Sequence, residues 1–234
     1  MEIKYRLLVA SLAITLTLFA AIFLLGSVLN QEREVSVEGT FSQINRDFSE
    51  MQTISLLADS HDKDLACLAF KEKLKDLDGN LWDLGSDLEK FSSASEEFKK
   101  SDYYQEQKIH FNENEVLYYL VLSNVVETCD LSKQRILYFY ADRDNCSKCD
   151  DQSFILRDIT LDDDKLNEDR ELAVFSLDTD LDVKSIDILA KYYNLSNYPC
   201  LVINDKNPVC GIQSREEIMT SVCENNSDLN ICSN

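Results

Sequence analysis

The chain has 234 residues, which leaves room for a membrane anchor, a small helical module and one domain of about 100 residues. It carries 43 acidic and 23 basic residues, so its formal net charge is −20 at pH 7. This balance argues against nucleic acid as a partner, because phosphate binding requires a basic surface.

The first feature along the chain is an uncharged apolar segment at residues 7–29. As a helix it is long enough to cross a hydrocarbon core. A cleaved signal peptide is the alternative, but its apolar core would span about 7–15 residues and end at a small-residue cleavage site. Ala20-Ala21 is the one candidate for such a site, and cleavage there would leave an apolar new terminus. We therefore expect an uncleaved transmembrane signal anchor.

Charges on the two sides of this segment predict its orientation. A basic pair precedes it and a mainly acidic group follows it: Lys4 and Arg6, then Glu32, Arg33, Glu34 and Glu38. The positive-inside bias places residues 1–6 in the cytoplasm. Everything after the anchor, beginning with a linker at residues 30–40, is then extracytoplasmic.

Residues 41–130 show the spacing of one-sided helices. Apolar residues recur three and four positions apart, in sets that include Phe41, Ile44, Phe48 and Met51, then Leu65, Leu68, Leu74 and Leu77, then Leu81, Leu84, Leu88 and Phe91. The second of these helices is expected to end at Gly79. A further helix is predicted from about residue 113 to 128, with Leu117, Leu120 and Val125 facing inward. The economical packing is a small antiparallel all-α bundle.

After residue 132 the pattern changes to alternating strands and helices. Strands are predicted at residues 136–140, 173–177, 200–203 and 209–212, and helices at about 146–158, around 186–193 and after Ser214. Ser214 and Glu217 match a capping box at the start of the last helix. The order βαβαββα predicts a three-layer α/β domain over residues 133–226, followed by a tail at 227–234.

Cys146-Ser147-Lys148-Cys149 lies where the first strand of this domain turns into a helix. At that position unpaired backbone N–H groups and the positive end of the helix dipole stabilise a thiolate, which is the reactive form of cysteine. Lys148 is expected to lower the thiol pKa. Nearby acidic residues are expected to raise it: Asp142, Asp144, Asp150 and Asp151.

This domain resembles the thioredoxin-like family over about residues 135–224. The resemblance is carried by the Cys-x-x-Cys, by Phe139-Tyr140-Ala141 before it, by residues 176–180, and by Asn197-Tyr198-Pro199-Cys200 before the third strand. It implies that Cys146 is the attacking thiolate and Cys149 the resolving thiol. It also implies that Pro199 is a cis residue packed against the cysteine pair, and that the Tyr198 backbone pairs with an extended substrate.

The segment departs from the family pattern in three respects. Tyr138 occupies the place in the first strand where thioredoxins bury a carboxylate, so Cys149 lacks that group for proton transfer. Asn145 replaces the usual aromatic residue before the motif. The intervening pair Ser147-Lys148 matches none of the familiar subfamilies.

Six further cysteines complete an even count of eight, which permits full pairing in an oxidising compartment. Connectivity does not follow from sequence, but position along the chain suggests three structural disulfides: Cys67 with Cys129, Cys200 with Cys210, and Cys223 with Cys232. A reducing location with eight thiols is the alternative. Zinc held by Cys146, Cys149, Cys200 and Cys210 is another, as is a silent structural disulfide at Cys146 and Cys149.

Cys-x-x-Cys beside a βαβ pattern favours redox chemistry over these alternatives. The sequence therefore predicts a membrane-anchored extracytoplasmic thiol–disulfide oxidoreductase without a metal or other cofactor. Its partners would be protein dithiol or disulfide clients and a membrane or soluble redox recycling partner. The alternative function is a non-catalytic thioredoxin-like module that binds a membrane complex.

Overall fold

The computed structural model describes residues 2–60, 63–94, 96–142, 145–166, 170–224 and 229–232. The chain forms two compact units, Met1–Asn45 and Arg46–Asn234. The helices and strands follow in this order: α1 Glu2–Ser60, α2 Lys63–Ala94, α3 Glu96–Lys99, α4 Asp102–Cys129, β1 Gln134–Tyr140, α5 Cys149–Leu166, β2 Leu172–Asp178, α6 Lys184–Tyr192, β3 Cys200–Ile203, β4 Val209–Cys210 and α7 Arg215–Cys223.

Helix α1 contains the apolar segment. Its 18-residue window Val9–Gly26 has a mean hydropathy of 2.4 and buries none of its residues. Within the described residues, this is the one helix long and apolar enough to cross a membrane. The helix continues through residues 30–40, which the sequence predicts as a linker. That segment contains no proline and has a single glycine, so nothing local ends the helix.

Helix α2 does not end at Gly79, contrary to the prediction. It runs unbroken because a buried stripe of leucines continues on both sides of the glycine: Leu74, Leu77, Leu81, Leu84 and Leu88. Burying each of these side chains contributes about 1.5–3 kcal/mol, whereas a glycine inside a helix costs about 1 kcal/mol. Leu65 and Leu68, which were expected to face inward, are exposed because Ala66 and Phe70 occupy the buried face.

Helix α4 begins at Asp102, eleven residues before the predicted start. Ser101 caps it, since its Oγ accepts a hydrogen bond from the backbone N–H of Tyr104 at 3.2 Å. Val125 is buried as predicted, but Leu117 and Leu120 are exposed. The buried face instead carries Tyr118 and Tyr119, among others.

Contacts with the sheet determine which face of α4 is buried. The rings of Tyr118 and Tyr119 pack on Phe175 of β2, with centroids 5.4 and 5.6 Å apart. Glu115 accepts a hydrogen bond from the backbone N–H of Ser176, and Asn112 accepts one from that of Asp178. Helix α4 thus covers the outer edge of β2, an edge that would otherwise present unpaired backbone groups. Helix α4 and the sheet therefore pack together within the compact unit Arg46–Asn234.

The sheet has the strand order β2-β1-β3-β4. Strands β1 and β2 are parallel, whereas β3 runs antiparallel to β1 and β4 antiparallel to β3. The element order from β1 to α7 is the predicted βαβαββα. Strand β4 is shorter than predicted, and α5 starts at Cys149 instead of Cys146 and continues to Leu166.

The two faces of the sheet are covered by different helices. Ile136 and Tyr138 share a core with Ile159 of α5 and Ile218 of α7. Phe139 points to the opposite face, where its ring contacts Tyr193 just after α6. The capping box at Ser214 is present as predicted. Within the predicted tail, Leu229 and Ile231 are buried in the first of these cores.

Candidate active site

The Cys146–Cys149 pair is a disulfide on the turn between β1 and α5, with its Cα atoms 5.5 Å apart. Cys149 is the first residue of α5. The backbone N–H of Cys146 donates to the carbonyl of Asp142 at 2.8 Å, and that of Asn145 donates to the same carbonyl at 2.9 Å. Both cysteines are almost buried, with 4% and 3% of their surfaces exposed. The pair thus lies at the N-terminus of an 18-residue helix.

Asp180 fixes this turn from the end of β2. Its carboxylate accepts the backbone N–H of Asp142 at 2.6 Å and the side-chain amide of Asn145 at 3.3 Å. The residue that replaces the usual aromatic side chain therefore has a structural partner. The resemblance includes residues 176–180, but it did not assign this role to Asp180.

Tyr138 supports the other end of the motif. Its phenol donates a hydrogen bond to the Cys149 carbonyl at 2.6 Å, and its ring stacks on that of Tyr140 with centroids 5.3 Å apart. Burial raises the pKa of Tyr138, as do, to a smaller extent, the charges of Asp150 and Asp178. The phenol therefore stays neutral and anchors the first turn of α5, so Tyr138 does not supply the charge of the missing carboxylate.

Lys148 forms a surface ion pair instead of acting on the cysteine sulfurs. Its Nζ lies 3.2 Å from a carboxylate oxygen of Asp151, and both side chains are more than half exposed. A solvent-exposed pair of this kind contributes little field at a buried sulfur. Asp144, predicted to oppose the thiolate, lies outside the described residues.

The loop before β3 lies against the cysteine pair, as the resemblance implies. Tyr198 packs against the cluster of Ala141, Cys146 and Cys149. The Tyr198–Pro199 peptide bond is cis, and Pro199 is buried. Tyr198 is therefore brought to Cys146 and Cys149, and the buried Pro199 follows it in the chain.

The six remaining cysteines form the three predicted disulfides, Cys67–Cys129, Cys200–Cys210 and Cys223–Cys232. Cys67–Cys129 joins α2 to α4. Cys200–Cys210 links two directly opposed residues of β3 and β4. Cys223–Cys232 joins the end of α7 to the C-terminal segment. Cys200 and Cys210 are bonded to each other instead of forming a four-sulfur group with Cys146 and Cys149.

A cavity of about 800 Å³ lies between α2, α4, α5 and the β1–β2 pair. Its walls include Cys149, Tyr138, Tyr140, Lys108 and Glu115. Sequence reasoning missed the last two, because they belong to α4 and no local pattern places that helix beside the redox motif. Lys108 forms an ion pair with Asp178, whose side chain is only 3% exposed, and its Nζ lies 5.6 Å from the Tyr140 ring centroid.

Glu115 is the second charged group that the sequence did not connect with the site. Burial raises its pKa well above the ordinary value of 4.5, and the hydrogen bond from the Ser176 backbone N–H offsets this only in part. The folded protein therefore holds Glu115 as a neutral carboxylic acid to higher pH than the unfolded chain does.

We expect the wild-type protein to lose stability relative to Glu115→Gln as the pH rises above 4.5, the value in the unfolded chain. A group whose pKa is higher in the folded protein stabilises the fold fully at pH values below its pKa in the unfolded chain. Between the two pKa values, this contribution to the free energy of unfolding falls by about 1.4 kcal/mol per pH unit. Urea unfolding of the full chain in detergent, between about pH 5 and pH 8, measures the difference. Parallel pH profiles for the two proteins would show that Glu115 keeps its ordinary pKa.

Comparisons of the chain with protein-family models, with curated proteins and with solved structures give no match. Its function has to be inferred from the site geometry.

Proposed function

We propose that this protein is a membrane-anchored thiol–disulfide oxidoreductase whose reactive pair is Cys146 and Cys149. The observation that carries the proposal is the position of this disulfide at the N-terminus of α5, with Tyr198 of the Pro199 loop packed against it. A helix N-terminus stabilises the thiolate that is released when the disulfide opens. A disulfide with a purely structural role would not need to lie at a helix N-terminus.

A thioredoxin-like fold for residues 133–226 is part of the proposal. It is supported by the order βαβαββα, by the parallel β1–β2 pair, and by the antiparallel β3–β4 hairpin on the other side of β1. Helices α5 and α7 share one face of the sheet. In this interpretation α4 is an addition that covers the β2 edge.

The chemistry is an exchange of two electrons and two protons between dithiols and disulfides. A client thiolate attacks the Cys146 sulfur, the Cys146–Cys149 bond breaks, and Cys149 leaves as a thiolate that then takes up a proton. The second client thiol loses its proton and attacks the mixed disulfide, and Cys146 is released. The client becomes a disulfide and the pair becomes a dithiol, which a redox recycling partner must reoxidise. The reverse sequence reduces a client.

The backbone of Tyr198 is the group proposed to align the client. Since Cys146 is almost buried, we propose that the client reaches it through a groove beside Tyr198 and Pro199. No charged side chain is needed at this contact, because an extended segment binds through backbone hydrogen bonds.

The near-complete burial of both sulfurs also favours a second function, a non-catalytic module that uses the same groove to bind a membrane complex. Capture of a client separates the two functions. An oxidoreductase forms a covalent mixed disulfide through Cys146 that persists when Cys149 is replaced. A binding module holds its partner without any covalent bond.

The proposed location is extracytoplasmic, with residues 1–6 in the cytoplasm. Four disulfides suit an oxidising compartment, and the basic residues Lys4 and Arg6 precede the apolar segment. We expect protease added to intact cells or spheroplasts to degrade the chain beyond the anchor. Degradation only after lysis would contradict this orientation.

A charge-reversed variant provides the matched control. Lys4→Glu and Arg6→Glu, combined with Glu32→Lys and Glu34→Lys, should invert the anchor and protect the chain from external protease.

A further inference from the structure

The four disulfides differ in how far solvent reaches them. Cys146, Cys149 and Cys200 are buried, and the sulfurs of the Cys67–Cys129 and Cys223–Cys232 pairs belong to residues of intermediate exposure. Cys210 alone is exposed, and all eight cysteines lie in the described part of the chain. Among the eight cysteines, Cys210 is therefore the residue most open to an external thiolate.

We propose that Cys200–Cys210 is a second thiol-exchange site, opened by a protein dithiol that attacks the Cys210 sulfur. This assignment does not depend on the reactivity of Cys146. Attack occurs at Cys210 because Cys200 is fully buried and offers no path to its sulfur.

The surface around Cys210 is better suited to bind a partner protein than a small anionic thiol. Val209 and Ile212 are 42% and 43% exposed, and residues 209–213 carry no charge, although 28% of the chain is charged. An apolar contact with a partner protein would cover these side chains. A negatively charged small thiol would instead be repelled by the net charge of −20.

The Cys200 sulfur, which leaves in this attack, lies 2.6 Å from the carbonyl oxygen of Asn197. That oxygen can accept a hydrogen bond from the Cys200 thiol once the departing thiolate has taken up a proton, but it does not stabilise the thiolate itself. In the full exchange, the incoming thiolate forms a mixed disulfide with Cys210, and Cys200 leaves and takes up a proton. The second thiol of the reductant then displaces Cys210. One disulfide is reduced and one dithiol is oxidised.

Opening this bond would loosen a segment that connects the two sides of the Cys146 site. Strand β4 has only two residues, and the backbone N–H of Gly211 just after it donates to the Pro199 carbonyl at 2.8 Å. The backbone N–H of Gln213 donates to the side chain of Gln152, a buried residue of α5 one turn beyond Cys149. Any effect of the exchange on client binding rests on the proposed function, but the exchange itself does not.

Graded reduction of the full chain in detergent tests the proposal. A reduced thioredoxin is the protein dithiol probe, N-ethylmaleimide stops the reaction, and peptide mass spectrometry quantifies each cysteine. We expect Cys200–Cys210 to open about tenfold faster than Cys67–Cys129 and Cys223–Cys232. Opening at the rate of those two pairs, or more slowly, would overturn the proposal.

Two further measurements locate the attack. The uncharged monothiol 2-mercaptoethanol should leave its adduct on Cys210, and an adduct on Cys200 would contradict the mechanism. Cys146→Ser/Cys149→Ser should retain the fast opening. Loss of it in that variant would show that electrons arrive through the Cys-x-x-Cys pair and that Cys210 is not a separate site.

Discussion

A Cys149→Ser chain is expected to accumulate mixed disulfides with its clients through Cys146. In the wild-type protein Cys149, whose Cα lies 5.5 Å from that of Cys146, can attack such an intermediate and release the client. Serine cannot carry out this step. The trapped species should disappear completely in Cys146→Ser, because the remaining thiol, that of Cys149, does not react with clients. Cys149 lies in the first turn of α5, where its carbonyl accepts a hydrogen bond from the Tyr138 phenol.

Non-reducing gels of membranes from cells expressing each variant measure the trapped species, and alkylation before lysis prevents exchange during preparation. The matched control is Cys232→Ser, which also leaves one unpaired thiol, at Cys223, more than 70 residues from the Cys-x-x-Cys turn in the sequence. This control shows how much capture any unpaired thiol produces.

The outcomes are distinct. Bands specific to Cys149→Ser support the oxidoreductase. Equal bands in Cys149→Ser and Cys232→Ser, or none in either variant while the protein is abundant and membrane-bound, contradict it and favour the binding module.

The local features of the α/β segment could be predicted from the sequence because short-range rules determine them. Ser214 and Glu217 are three residues apart at the start of α7, and the side chain of each accepts a hydrogen bond from the backbone N–H of the other. Cys200 and Cys210 are opposed across a short hairpin, so their pairing follows from the strands themselves. The approach of the Pro199 loop to the Cys-x-x-Cys turn is different, because the two segments are about fifty residues apart and only the resemblance implied it; β1 and β3 are neighbours in the sheet.

The contribution of α4 could not be predicted in this way. Its apolar residues offer more than one face, and the face that is buried depends on Phe175 and on the open edge of β2, more than 50 residues further along the chain. The periodicity of a helix cannot include a partner at that distance. For the same reason Glu115 and Lys108 went unassigned although they line a cavity shared with Cys149.

The ion pair between Lys108 and Asp178 should be among the most costly polar contacts to break. Asp178 closes β2 and is 2% exposed. One of its carboxylate oxygens pairs with Lys108, and the other accepts the backbone N–H of Asp180 at 3.0 Å. Removing the cation leaves a buried carboxylate without a counter-charge, which typically costs 3–5 kcal/mol. Since the Lys108 side chain is 21% exposed, we expect about 3 kcal/mol for Lys108→Met.

Urea unfolding of the full chain in detergent measures this loss, with Trp82 as the reporter. Trp82 is the single tryptophan of the chain, and its ring stacks with Arg170 at 4.7 Å in the same unit. The matched control is Lys90→Met, which removes an exposed ion pair with Asp87 and should cost about 0.5 kcal/mol or less.

The double variant Lys108→Met/Asp178→Asn separates the charge from the packing. Asparagine keeps an acceptor for the Asp180 backbone N–H but carries no charge, so the double variant should recover most of the loss seen in Lys108→Met. If Lys108→Met unfolds at the same urea concentration as Lys90→Met, the pair contributes nothing to the fold. If the double variant recovers nothing, the loss comes from the contact of the Lys108 ammonium group with the Tyr140 ring and not from the buried charge of Asp178. Recovery would establish that the buried charge of Asp178 needs Lys108. The turn held by the neighbouring Asp180, and with it the geometry of Cys146, would then depend on α4.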